Sequence, residues 1–304
     1  MALKFPPFLK AGSKIAIAAT ARKVSWEEIQ PACTFLELNG FMPIIPEGLF
    51  SEQNQFAGSD EHRANLLQQL LNDSSIEAIL IARGGYGTVR MIDQLNWEKF
   101  SLNPKWIIGF SDITVLLNHI NHQIGYAGIH GPMAFNFQPE RFEENSANKL
   151  INLIQGRGNS FTFPAHERNT WREESALEGI LFGGNLSVIY SLLGSQSLYK
   201  PENGLLFLED LDEYLYHLDR MMMGLNRAGF LNGLKGILVG DMSDMKDNLV
   251  PFGKNALEII SEHAGSIPLV AGLPCGHEKR NLPLVMGAIT QLSVNNELIE
   301  LTQK

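Results

Sequence analysis

Apolar and polar positions along this chain alternate between two periods, and the alternation predicts the elements. Residues 14–19 (K-I-A-I-A-A) read as a first strand, with Thr20, Ala21 and Arg22 as the loop at its carboxyl end. Residues 25–39 have helical spacing and open with Ser25 and Glu28, the S-x-x-E form of a capping box; Gly40 is the stop. Pro31 inside that run predicts a shifted start or a kink. Residues 42–45 read as a second strand. Ser59 or Asp60 begins a helix whose leucines at 66, 67, 70 and 71 share one face. Residues 76–82 read as a third strand, ended abruptly by Arg83-Gly84-Gly85-Tyr86-Gly87, and a helix is expected from about Thr88. A short apolar run at 106–108 leads through Gly109 and Phe110 to Ser111. An apolar-periodic helix then runs to about Ile124, and a strand follows at 126–129. Strands alternating with helices predict the α/β class, a parallel sheet covered on both faces. In such sheets ligands bind beyond the carboxyl ends of the strands, where the 83–87 loop and Ser111 both fall.

The pattern changes in the second half. Residues 156–174 are polar, punctuated by glycine and aperiodic, which reads as a linker. The chain therefore divides into residues 1–155, a linker at 156–175, and residues 176–304. Residues 176–182 read as a strand, Gly183-Gly184-Asn185 as a turn, and a helix runs to about Leu193. Residues 205–208 form another strand running into Glu209 and Asp210. A long helix is expected over 214–225, with strands at 236–240 and 267–270 around a helix at 256–263. Residues 288–294 and 297–301 read as a β-hairpin about Asn295 and Asn296.

Composition narrows the function. The 304 residues carry a formal net charge of −9, which disfavours nucleic acid or an anionic membrane as the main partner, since both need a basic face. No apolar run is long enough to span a bilayer, and the opening M-A-L-K-F-P-P-F-L-K does not have the form of a signal peptide. The two cysteines, Cys33 and Cys275, make neither a disulfide framework nor a zinc pattern. A reducing cytoplasm, no metal and no cofactor are the expectations.

Three positions of the right chemical types stand at loop or strand ends: Ser111, Glu209 and His277. A serine at a sharp strand-to-helix turn presents its hydroxyl beside the free N–H groups of a helix start, which is the physics of a nucleophile elbow. Here G-F-S-D-I departs from G-x-S-x-G at Ile113, and Ser111 also reads as an ordinary helix N-cap. A serine needs a base, histidine serves near neutral pH, and a carboxylate fixes the histidine tautomer. The 83–87 loop lacks the spacing of a dinucleotide fingerprint and the Lys-Ser/Thr of a P-loop; donation of N–H groups to an oxyanion suits it better.

Five motifs occur in register: R-G-G-Y-G at 83–87, G-F-S-D-I-T at 109–114, G-G-N-L at 183–186, L-F-L-E-D at 206–210 and G-H-x-x-x-N at 276–281. Together they resemble the LD-carboxypeptidase family, serine peptidases that trim D-alanine from murein tetrapeptides. The resemblance covers essentially the whole chain. It implies Ser111 as nucleophile, Glu209 as carboxylate and His277 as base. With that triad, the expected oxyanion donors are the N–H groups of Asp112 and Gly85, and the expected substrate contacts are Arg83, Gly84, Tyr86 and Asn281. The resemblance further implies a flavodoxin-like amino-terminal domain, a smaller β-rich carboxyl-terminal domain, the site between them, and a cytoplasmic homodimer without metal.

Other readings compete at each position. Asp210 rivals Glu209, and the acidic cluster with Asp212 and Glu213 reads equally as a helix cap. His130 is the main rival base; His217 reads as a packed or surface histidine. Cys275 is a rival nucleophile, Gly183-Gly184-Asn185 reads as a structural turn, and the methionines at 221–223 read as core. Arg83, Arg90 and Arg280 are candidates for binding a terminal carboxylate. A related hydrolase of microcin-type peptidyl or aminoacyl adenylates would need an aromatic platform, for which Trp171 is the candidate. A non-catalytic module holding a small phosphate ligand is the alternative outside enzymes.

Overall fold

The computed structural model describes residues 3–171, 177–295 and 298–304. Its strands are β1 (Lys14–Ala18), β2 (Met42–Ile44), β3 (Ile76–Ile81), β4 (Trp106–Ile108), β5 (Gly128–His130), β6 (Asn159–Pro164), β7 (Leu177–Asn185), β8 (Leu205–Leu211), β9 (Gly236–Ser243), β10 (Leu269–Ala271), β11 (Leu284–Met286), β12 (Ile289–Asn295) and β13 (Leu298–Gln303). The first sheet runs β2-β1-β3-β4-β5 in parallel, the flavodoxin-like order, with β11 added antiparallel to β5. The second runs β10-β9-β8-β7 in parallel and continues antiparallel through β12, β13 and β6. The fold is α/β in two domains.

Helices α1 (Trp26–Leu38), α2 (Asp60–Asn72), α3 (Glu98–Leu102), α4 (Thr114–His119), α5 (Glu144–Ile154), α6 (Leu186–Ser191), α7 (Leu215–Arg227) and α8 (Ala256–Ala264) cover the sheets. None is long and apolar enough to cross a membrane. Side-chain alternation sends Ile15, Ile17, Leu80 and Ile108 to the face packed with Ile29 and Leu36 of α1 and Leu150 and Ile154 of α5. Ala16, Ala18, Ile79 and Ile81 take the other face, with Leu67 and Leu71 of α2. That second cluster is continuous with Leu181, Leu205 and Phe207 of the other sheet, so one apolar core joins the two units. Ser25 caps α1 with the full capping box, and the helix runs through Pro31.

Three expectations are corrected. The helix expected from Thr88 is instead two 3₁₀ turns, Thr88–Arg90 and Ile92–Gln94. Buried Thr88, Met91, Ile92 and Leu95 keep the i, i+3, i+4, i+7 spacing of a helical face, so the sequence period alone does not separate two short 3₁₀ turns from an α-helix. Within the stretch read as linker, N-S-F-T-F-P is β6, with every second residue buried against β13. Leu284–Met286, in the carboxyl-terminal third, pairs with β5 and belongs to the first sheet. Ala176, placed at the start of a strand, and residues 172–175 lie outside the described residues, as do Asn296 and Glu297 of the hairpin turn.

Candidate active site

Ser111 leaves the carboxyl end of β4 and opens a 3₁₀ turn that runs directly into α4. Its φ is +62°, a left-handed conformation that a non-glycine residue holds only where the surroundings enforce it. The next residue supplies part of that enforcement. Asp112 is buried and its Oδ2 accepts the Thr88 N–H at 2.8 Å. Burial pushes its pKa up, against the hydrogen bonds and the charge of Arg63. Buried Arg63 donates to the carbonyls of Thr20 and Gly87, and Thr20 Oγ1 meets Thr88 Oγ1 at 2.9 Å. The 83–87 loop is thereby tied to the elbow. A Cβ on Gly84 would lie 3.2 Å from Ser111 Cβ and 3.4 Å from Ser111 Oγ, so a glycine here lets the loop close over the serine. Gly84, rather than Gly85, is the residue against Ser111.

The surroundings of His277 are built by the second sheet. Glu209, near the end of β8, is fully buried, and its Oε2 lies 2.7 Å from His277 Nδ1. That contact makes Nδ1 the protonated nitrogen and leaves Nε2 to accept a proton. Burial alone would lower the His277 pKa; the charge and hydrogen bond of Glu209, helped by Asp210 and Asp241, raise it net above the ordinary value. The His277 loop is fastened from below. Asn281 Oδ1 accepts the Gly276 N–H at 3.1 Å, the Asn281 N–H reaches Ser146 Oγ, and Asp241 N donates to Cys275 O. The ring of Phe110, beside the serine, meets His277 edge-on at 4.9 Å between centroids. No hydrogen bond joins Ser111 Oγ to His277 among the described residues; such contacts tighten when substrate is bound.

The rivals take other places. Asp210 Oδ1 accepts from Asn185 Nδ2 and Leu211 N, and Oδ2 from Ser187 N, so it organises the Gly183-Gly184-Asn185 turn. Burial and Glu209 push its pKa up to about 7. That turn packs on α4 through Asn185 N to Thr114 Oγ1 at 3.0 Å and Asn118 Nδ2 to Gly183 O at 2.9 Å, a structural role. His130 is completely buried between Phe110 and Phe207, with both ring nitrogens unpartnered, and burial drives its pKa down to about 4. It is a packed ring closed off from solvent. His217 pairs with Glu213 at 2.6 Å. Cys275 is buried, and burial raises its thiol pKa well above the usual range, which removes it as a nucleophile. Asn281, expected to touch substrate, is 2% exposed and serves the loop instead. Tyr86 is half exposed beside Phe56. Arg83 pairs with Glu28 at 3.1 Å and Arg90 with Asp60 at 2.7 Å. A cavity of about 530 Å³ borders the histidine loop through Gly272 and Asp241, but Ser111, Glu209 and His277 do not line it.

A raised His277 pKa has a defined consequence. A histidine acting as a base works only when neutral, so kcat/KM for a reaction that His277 assists is expected to fall as pH drops through a value above the ordinary histidine pKa of about 6.5. Asp241, itself held up at about 6 by burial and then by Glu278 and Glu209, contributes negative charge to that ring. Asp241→Asn is expected to move the acid limb to lower pH in a kcat/KM profile; an unmoved or upward-shifted limb contradicts the assignment.

A serine on an enforced turn in one α/β unit, and in the other a histidine held by a buried carboxylate, are the groups a serine hydrolase uses. Comparison narrows that class: the chain belongs to the LD-carboxypeptidase family, whose N-terminal domain model matches residues 15–131 and C-terminal domain model residues 178–292. A probable murein peptide carboxypeptidase of Bacillus subtilis (strain 168) is 30% identical over 93% of this chain and 89% of its own. The crystal structure of muramoyltetrapeptide carboxypeptidase from Oxalobacter formigenes superposes with a TM-score of 0.86 at 26% identity, covering 95% of this chain and 98% of that one. The microcin C7 self immunity protein MccF, in complex with aspartyl sulfamoyl adenosine, shares the fold with a TM-score of 0.85 at 20% identity over 98% of each chain.

Proposed function

We propose that this protein is a metal-independent serine carboxypeptidase that removes the terminal D-alanine of murein tetrapeptides by breaking an L,D peptide bond. Ser111 Oγ attacks the carbonyl carbon while its proton passes to His277 Nε2. The backbone N–H groups of Asp112 and Gly85 receive the developing oxyanion, where donors act on charge that appears only in the transition state. His277 returns the proton to the departing amine as the C–N bond breaks and D-alanine leaves. Water, deprotonated by the same nitrogen, then releases the acyl group and restores Ser111. The observation that carries this reading is the 2.7 Å contact of His277 with buried Glu209, in a chain whose Ser111 stands on a left-handed elbow against Gly84.

The adenylate reading draws support from the shared fold alone. Its platform residue, Trp171, is partly buried against the core, with its backbone N–H on Leu269 O. Incubation with a murein tetrapeptide, in lysine and diaminopimelate forms, and with an aminoacyl adenylate separates the readings. D-alanine release is expected. Hydrolysis of the adenylate alone favours the rival, and turnover of neither favours a binding module.

A further inference from the structure

We propose that Arg22 receives the terminal carboxylate of the substrate, an assignment that rests on the carboxypeptidase reading above. Arg22 follows β1 in the loop at the carboxyl edge of the first sheet, the same edge that carries the 83–87 loop and Ser111. A Cβ on Gly85 would lie 2.8 Å from both Arg22 Cγ and Cδ and 3.0 Å from Nε. The arginine stem therefore lies on Gly85, and only a glycine permits that approach. Gly84, the residue before, is the one that touches Ser111. One glycine pair thus separates a guanidinium from the nucleophile.

That guanidinium is uncommitted. Arg63 and Arg90 bind Asp60, Arg83 binds Glu28, and Arg168 binds Glu258. Arg22 is exposed, and its side chain has no hydrogen bond or ion pair among the described residues. It stands in a cationic cluster. Arg83 lies 4.0 Å and Arg141 4.7 Å from the centre of the Phe135 ring, and burial, then the charges of Arg22 and Arg141, depress the Arg83 pKa against the pull of Glu28. Arg22 and Arg141 both act on Arg83, whose ion-pair partner is Glu28, so this corner is locally positive within a chain of net charge −9.

The backbone beneath Arg22 is clamped before any ligand arrives. Ala57 N donates to Ala21 O and Lys23 N to Gln55 O, each at 3.0 Å, while Arg22 bridges to Phe56. A fixed backbone lowers the ordering cost of gripping a ligand. A carboxypeptidase must tell a chain end from an internal amide, and a planar guanidinium does so by donating two parallel hydrogen bonds to a carboxylate. Arg280 is also exposed and without a hydrogen bond, but its neighbours are Glu143 and Cys275 rather than the glycine loop.

The test compares a tetrapeptide ending in D-alanine with the same peptide ending in D-alaninamide, by kcat/KM for release of either product. Wild-type protein is expected to prefer the acid. Arg22→Ala is expected to lower kcat/KM for the acid about 10- to 100-fold, mostly through KM, and to affect the amide far less, so that the preference collapses. Arg22→Lys is expected to restore part of it. If Arg22→Ala discriminates as well as wild type, or if Arg280→Ala is the change that abolishes discrimination, the assignment is overturned while the functional reading stands. A wild-type protein that releases neither product overturns both.

Discussion

Replacing Ser111 by alanine is expected to lower kcat for D-alanine release by about 10⁴–10⁶-fold, and His277→Ala by a similar factor. The double variant is expected to be scarcely worse than either single one. The reason lies in how the two groups depend on each other. The Ser111 hydroxyl is a weak nucleophile unless its proton is taken as it attacks, and a base has nothing to activate once the hydroxyl is gone. Neither change is expected to unfold the chain. Alanine keeps a Cβ at the elbow, and the backbone of the His277 loop is fastened through Asn281, Ser146 and Asp241, although His277→Ala also removes the partner of buried Glu209 and is expected to lower the melting temperature. Thermal melts check that point. Losses that multiply in the double variant would mean that Ser111 and His277 act in separate steps.

The second large effect separates two adjacent acids. Glu209→Gln is expected to lower kcat by about 10³–10⁴-fold, because an amide can present its NH₂ to Nδ1 and hold the wrong tautomer. Asp210→Asn is expected to leave kcat nearly intact and to lower stability by about 1–3 kcal/mol. Asp210 accepts three hydrogen bonds through two oxygens, whereas asparagine has a single acceptor oxygen, so its NH₂ would face a backbone donor. The two readouts, kcat and melting temperature, should therefore move for different residues. A silent Glu209→Gln with a damaging Asp210→Asn would reverse the carboxylate assignment.

The difficulty of telling these acids apart from sequence has a structural cause. Strand alternation should send Glu209 and Asp210 to opposite faces with different exposure. Instead the β8 and β9 register shifts between Leu208 and Asp210, and both acids are buried. A bulge of this kind re-aims side chains, and nothing in L-F-L-E-D announces it. The parallel sheet of the first half was legible because its strands are near-continuous apolar runs separated by helices of clear period. Strand β11 was not, since three residues carry no period and their partner β5 lies far earlier in the chain. Strand β6 did carry an alternating signal in N-S-F-T-F-P, hidden by its polar, glycine-flanked surroundings. Helix α5, although strongly amphipathic, drew no prediction at all. Ser111 was legible as an elbow by its place between an apolar strand and a periodic helix, while its positive φ is visible only in three dimensions. His130 reads from sequence as the main rival base, and its complete burial decides otherwise. Arg22 had no sequence signal; its meaning comes from Gly85, which is distant in sequence and in contact in space.

The central claim is that Ser111 is the covalent nucleophile, and labelling with a phosphonofluoridate measures it most directly. One adduct per chain is expected, located on Ser111 by peptide mass mapping, formed in step with the loss of D-alanine release and absent from Ser111→Ala. A label on another residue, or an enzyme that stays fully active while Ser111 is modified, would contradict it.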